Sequence, residues 1–181
     1  MTDSKRTRGL ILNGASGVGK SRTLQELGAL LGEKAVAYAL VDLDFLTLSW
    51  PRPQDDPWGG QVARENLAAV TSNYRRNGIE RVVVAHVCTD RTHLDGCRAA
   101  LGAASADEAP LIRLRASRAV VEQRLRARHA ADAPWELDGF LAGHDALTHA
   151  LDAADLDDHV IDVDGLDPRA VAERVIEAAG W

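Results

Sequence analysis

An α/β fold, a five-stranded parallel sheet with helices on both faces, is what this sequence predicts, and three observations predict it. Five short apolar runs recur along the 181 residues, and the segments between them carry apolar residues at helical period. The first run passes directly into a glycine-rich turn, as a strand does when it feeds a helix. Turn formers concentrate at 49–60, 102–110 and 130–134, and no long linker divides the chain, so it reads as one domain.

Each element follows from local pattern. Residues 9–12 read as the first strand and 20–31 as the first helix, with Gly32 placed to end it. Residues 35–41 form the second strand, the β-branched run 81–87 the third, 110–114 the fourth and 159–163 the fifth. Helices are expected at 60–76, 91–101, 117–129, 136–151 and 168–178. The last has Asp167 as cap and Pro168 in its first turn. Ligands of such sheets collect at the carboxyl ends of the strands, so function is expected just after Leu12, Val41, Val87, Leu114 and Val163.

After Leu12 stands the most specific signal in the chain. Gly14-Ala15-Ser16-Gly17-Val18-Gly19-Lys20-Ser21 spell G-x-x-x-x-G-K-[ST], the loop of the P-loop NTPases, and predict binding of ATP or GTP. The glycines let the backbone curl so that successive N–H groups face phosphate oxygens, and the helix that follows adds the positive end of its dipole. Lys20 reaches the β- and γ-phosphates, Ser21 offers its hydroxyl to Mg²⁺, and Arg22 lies beside them. Lysine occurs only at 5, 20 and 34 among the 21 basic residues, so a chain that otherwise writes arginine keeps a compact ammonium at this position.

Asp42-Leu43-Asp44 closes the second strand. Side chains two apart on a strand share a face about 6.6 Å apart, which turns both carboxylates into one cleft. One acid of a phosphoryl-transfer site serves the metal while another accepts the proton of an attacking hydroxyl, so Asp44 reads as the base and Asp42 as the metal-side acid. Asp90, after the third strand, is a late alternative for the metal.

The loop 49–60, with Trp50, Arg52 and Trp58, leaves the same edge of the sheet and is expected to meet a ligand. Trp50 and Trp58 fit either an acceptor pocket or an anchor for the loop. Arg52 and Arg64 are candidate contacts for an anionic acceptor. The net charge of −6 and pI near 5.5 argue against nucleic-acid binding, and the arginines between 113 and 128 suit bound phosphates better. No apolar run approaches the ~20 residues that cross a bilayer. Cys88 and Cys97 lack C-x-x-C spacing and the first eight residues are polar, so a cytoplasmic, reduced protein is expected.

His86, Cys88 and Asp90 alternate on one strand face, yet three neighbours on one strand do not surround an ion without help from elsewhere, and no structural metal is expected there. His144 and His149, five apart, are expected to face solvent.

Taken together, the 14–21 loop, Asp42-x-Asp44 and the arginine-rich segment after the fourth strand resemble the small P-loop kinases grouped around gluconate kinase, shikimate kinase, adenylylsulfate kinase and chloramphenicol phosphotransferase. Asp42-Leu43-Asp44-Phe45-Leu46 resembles the gluconate-kinase stretch, and Ile11-Leu12-Asn13-Gly14 the entry to the chloramphenicol-phosphotransferase loop. The resemblance implies ATP with Mg²⁺ and transfer of the γ-phosphoryl group to a small acceptor. It further implies an acceptor-binding insert over about 43–78, a short lid over about 124–136 with Arg124 and Arg128 as its arginines, and an adenine pocket bordered by Asp162, Asp164 and Gly165. The 130–134 turn departs from the family in having no arginine. Three readings stay open: a kinase for a small-molecule hydroxyl, a nucleotide monophosphate kinase with Arg52, Arg64, Arg75, Arg76 and Arg91 as clamps, and a nucleotide-dependent ATPase or switch. The oligomeric state is not specified by the sequence.

Overall fold

Strand β1, Arg8–Asn13, is apolar on both faces, and that decides the architecture. A computed structural model describes residues 7–52, 54–129 and 134–181, the side chains of 128, 129 and 134–136 excepted. Its parallel sheet has the order β2-β3-β1-β4-β5, with β2 Tyr38–Asp42, β3 Arg81–Ala85, β4 Leu111–Arg115 and β5 His159–Asp162. Leu10 and Leu12 point into one core with helices α1 (Lys20–Glu33), α5 (Arg118–His129), α6 (Pro134–Ala154) and α7 (Pro168–Ala178). Ile11, one residue out of phase, points into a second core with α3 (Gly60–Arg76) and α4 (Arg91–Ala100). Burial of the central strand on both sides thus fixes helices on both faces, as the sequence predicts.

Several boundaries differ for local reasons. Helix α1 runs through Gly32 to Glu33, and the chain leaves it by way of Ala35 at φ +53. The close approach lies instead at Gly28, where a Cβ would sit 2.8 Å from Leu40 Cδ1. Strand β3 stops at Ala85 because its neighbours depart there: β2 turns after Asp42 and β1 enters the loop after Asn13. The buried Asn13 side chain takes over, its Oδ1 accepting from Cys88 N at 3.1 Å and its Nδ2 donating to Cys88 O at 3.2 Å.

The sequence reading overlooked α2, Leu43–Leu46. Asp42 does not continue a strand into Asp44 but caps this single turn, its Oδ1 accepting from Asp44 N at 3.3 Å. The expected strand alternation of the two acids is therefore wrong, although both still stand at the carboxyl edge of the sheet.

Candidate active site

Between β1 and α1 the 14–19 loop holds three glycines at positive φ: Gly14 at +138, Gly17 at +85 and Gly19 at +109. A Cβ at Gly14 would lie 2.5 Å from Leu114 O and one at Gly17 would lie 2.8 Å from Val121 Cγ1, so only glycine fits. Buried Ala15 and Val18 pin the loop to the core. Gly19 is the N-cap of α1 and supplies no side-chain cap, which leaves the first-turn N–H groups and the dipole to serve an anion. Lys20 Nζ donates to Gly14 O at 2.6 Å and Ala15 O at 3.3 Å across the mouth of the loop. Burial lowers its pKa, opposed by the charges of Asp44 and Asp42, so both predicted acids act on this ammonium.

Ser21 Oγ donates to Asp42 Oδ2 at 3.2 Å, a pair of hard oxygen donors. Asp44, largely exposed on α2, has His86 Nδ1 at 3.4 Å from its Oδ1. The contact to His86 holds the Asp44 carboxyl below its ordinary range, against some burial and with the help of the Lys20 charge. Behind His86 the hydrogen-bond directions are determined. Arg64 Nη1 can only donate, so His93 Nδ1 accepts at 3.2 Å. His93 Nε2 then donates to His86 Nε2 at 2.7 Å, which leaves the His86 proton on Nδ1, facing Asp44. Asp90 is not at the metal pair: its Oδ1 caps α4, accepting from His93 N at 2.7 Å.

Beside the loop opens a cleft of about 620 Å³, lined by Val18, Arg22, Thr23, Arg124, Val163 and Leu166 among others. Arg124 Nη1 donates to Val18 O at 2.8 Å, which ties α5 to the loop. Arg128, the other lid arginine, and the 130–134 turn lie outside the described side chains. Asp162 and Asp164 do not supply the wall expected of them. Arg115 holds Asp162 at 2.6 Å, Asp164 accepts from Ser117 N at 3.0 Å, and Val163 and Leu166 form the apolar lining.

The arginines of the 113–128 segment are for the most part spent on internal partners, against the expectation that they meet phosphates. Buried Arg113 pairs with Asp152 and Asp157, Arg118 with Asp145 and Arg126 with Glu122. His144 also departs from expectation. It is buried and donates from Nδ1 to Ser16 O at 2.9 Å, supporting the loop from α6, whereas His149 is exposed.

No protein-family model matches the chain, and no curated protein matches it in sequence. Solved structures do match in shape. The tunicamycin resistance protein of Deinococcus radiodurans superposes with a TM-score of 0.66 at 20% identity, over 97% of this chain and 96% of that one. A gluconokinase from Sinorhizobium meliloti gives 0.60 at 18%, over 97% and 93%. A shikimate kinase from Acinetobacter baumannii, in complex with shikimate, gives 0.59 at 16%, over 96% and 93%. The fold is that of the small P-loop kinases.

Within this P-loop kinase fold the 43–78 segment includes α2 and α3. Trp50 is 92% exposed, Trp58 87%, Phe45 72% and Leu48 69%, so the tryptophans are not anchors packed into the core. Arg52 donates to Pro57 O at 3.0 Å within its own loop. Arg64 faces His93 rather than the mouth of the phosphate loop. The residues that sequence reasoning missed are His93, Cys97 and His144. Among the described residues no helix is long and apolar enough to cross a membrane.

Proposed function

We propose that the chain is an ATP-dependent phosphotransferase that moves the γ-phosphoryl group to a hydroxyl of a small molecule, with Asp44 as the base. One observation carries this reading: the Asp44 carboxylate, its Oδ1 3.4 Å from His86 Nδ1, stands on the turn that Asp42 caps while Asp42 itself accepts from Ser21 of the glycine-lined phosphate loop, and the Asp44 charge acts on Lys20. A phosphate acceptor needs no base, whereas a hydroxyl must lose a proton as it attacks. The arginines weighed as clamps for an acceptor phosphate support that preference. Arg75 is taken by Leu101 O, Arg76 by Ser72 and Asn73, and Arg52 by its own loop.

The donor sets fit the groups proposed. The 14–19 backbone and the open N-terminus of α1 suit a triphosphate, with Lys20 on its terminal phosphates. The 620 Å³ cleft, apolar along Val163 and Leu166 and edged by Arg124, suits the nucleoside end. Ser21 and Asp42 would hold Mg²⁺, whose chemistry when bound is to neutralise charge on the β- and γ-oxygens. The chain's own residues do the rest: Lys20 attracts the transferring group, Asp44 takes the hydroxyl proton, and Asp42 keeps Ser21 in place.

For the acceptor, the exposed Phe45, Leu48, Trp50 and Trp58 support a molecule with apolar surface beside its hydroxyl, whereas Arg52 and Arg64 are engaged by Pro57 O and His93. A reducing cytoplasmic setting accords with the two free cysteines. The test is ADP release over a panel of sugar acids, polyols, nucleoside and aminoglycoside antibiotics, and nucleoside monophosphates. The expected result is turnover with a hydroxyl acceptor that falls about 100-fold or more in Asp44→Asn, with ATP affinity little changed. Fastest turnover with a nucleoside monophosphate, or hydrolysis alone with every acceptor, overturns the reading.

A further inference from the structure

The two cysteines and His93 have no part in the proposed transfer, yet the fold gathers them beside it. Cys88 follows β3, while His93 and Cys97 stand one helical turn apart on α4. Their ligand atoms all lie within 4.8 Å of one another, and His93 Nε2 is 3.7 Å from Cys97 Sγ and 2.7 Å from His86 Nε2. Both cysteines are unbridged and fully buried, and His93 is partly exposed, so the group is reached from solvent by way of the imidazole. The strand face that carries too few ligands by itself obtains the others from α4.

We propose that Cys88, His93 and Cys97, with His86 as fourth donor, form a site for a soft divalent cation such as Zn²⁺. Thiolate and imidazole are the ligands such an ion prefers over oxygen. A tetrahedral centre with metal–sulfur bonds near 2.3 Å and metal–nitrogen bonds near 2.05 Å separates sulfur from nitrogen by about 3.6 Å. The 3.7 Å between Cys97 and His93 already agrees, and the two imidazole nitrogens, now 2.7 Å apart, have to part by about 0.65 Å to reach the tetrahedral separation. His86 is in the tautomer that suits ligation, its Nε2 turned inward and its Nδ1 toward the Asp44 carboxylate. That is the carboxylate–histidine–metal arrangement that orients ligating histidines elsewhere. Arg64, which donates to His93 Nδ1, opposes the ion and must withdraw before His93 can ligate through Nε2 with Nδ1 protonated.

Occupancy would bind His86 to the metal and make Asp44 its carboxylate partner, which withdraws the proposed base; this consequence, unlike binding, rests on the kinase reading. The experiment is a Co²⁺ titration of the full chain in excess Mg²⁺, which saturates the oxygen site at Ser21 and Asp42, followed by displacement with Zn²⁺. The expected result is one Co²⁺ per chain with thiolate-to-cobalt charge transfer and the intense visible bands of a tetrahedral ion. Cys88→Ser and Cys97→Ser should lose the charge-transfer band. Because buried cysteine variants can misfold, two more accessible changes are read in parallel: His93→Gln should weaken binding at least about 10-fold, and Arg64→Gln should tighten it. Asp44→Asn should keep the bands. The proposal is overturned by the absence of charge transfer, by bands that persist in folded Cys97→Ser, or by unchanged affinity in both His93→Gln and Arg64→Gln. Since the readout is spectroscopic, failure here leaves phosphotransfer untouched, and an inactive chain can still bind cobalt.

Discussion

Replacing Gly14 by alanine tests whether the shape of the phosphate loop comes from close packing as well as from backbone freedom. The new Cβ would stand 2.5 Å from Leu114 O and 2.9 Å from Val18 Cγ2, on a residue at φ +138. An ordinary carbon–oxygen contact is about 3.3 Å, so the loop and β4 must separate by about 0.8 Å. That movement strains the β1–β4 ladder at Ile11↔Leu111 and Leu12↔Ile112. Positive φ in a non-glycine costs roughly 1–3 kcal/mol and overpacking roughly another 1–3, so about 4 kcal/mol is expected in sum. For a chain of this size each kcal/mol lowers Tm by about 2–4 °C, which gives a fall of about 8–16 °C. Gly78→Ala is the reference, because its φ is +77 and its Cβ would meet nothing within 4 Å. Only the conformational term applies there, about 1 kcal/mol, and Tm should fall by about 2–4 °C. Differential scanning calorimetry reads both variants, and equilibrium dialysis should show nucleotide affinity lost in Gly14→Ala alone. Equal Tm shifts in the two variants, or unaltered nucleotide affinity in Gly14→Ala, would refute the packing argument.

Arg113 and Arg124 should separate stability from binding. Arg113→Met leaves Asp152 and Asp157 without their buried partner and should cost about 3–5 kcal/mol in urea unfolding with nucleotide affinity preserved, while Arg124→Ala should weaken nucleotide binding about 10-fold with stability preserved. The Asp44 carboxyl, followed by carbon NMR, should titrate below the ordinary value of about 3.9, and His86→Gln should raise it. The sign follows from linkage: a folded pKa below the unfolded one stabilises the protein above the unfolded value, and that stability is lost as pH falls through the folded value. A midpoint unchanged in His86→Gln would remove His86 as the group that holds Asp44 ionised.

Features written in consecutive residues were legible. The loop at 14–21 depends on glycine spacing within eight residues, and β1, β3 and β4 are short apolar runs because both of their faces are buried. Helices α3 and α7 match their predicted limits, the latter through the Asp167 cap and Pro168. Arg113 could have been read correctly: an arginine in the middle of a strand buried on both faces must have an internal partner. His144 likewise stands in step with Leu141, Thr148 and Leu151 on the inward face of α6. The one-turn helix α2 was not legible, since Asp42 reads equally well as a strand end and as a cap. Nor was the meeting of Cys88 with His93 and Cys97, which depends on how the end of β3 is set against α4 and on Asn13 fixing the backbone of Cys88. Spacing at 93 and 97 puts two ligands on one helix face, but the third comes only with the tertiary fold.

The claim on which the rest depends is that this loop grips a nucleotide triphosphate through Lys20. Isothermal titration calorimetry with ATP and Mg²⁺ measures it directly. A single nucleotide per chain is expected for the native sequence, with Lys20→Ala weakening binding by about 10–100-fold, the worth of a charge-assisted contact to phosphate. No heat of binding at millimolar nucleotide, or equal affinity in the two proteins, would contradict the account.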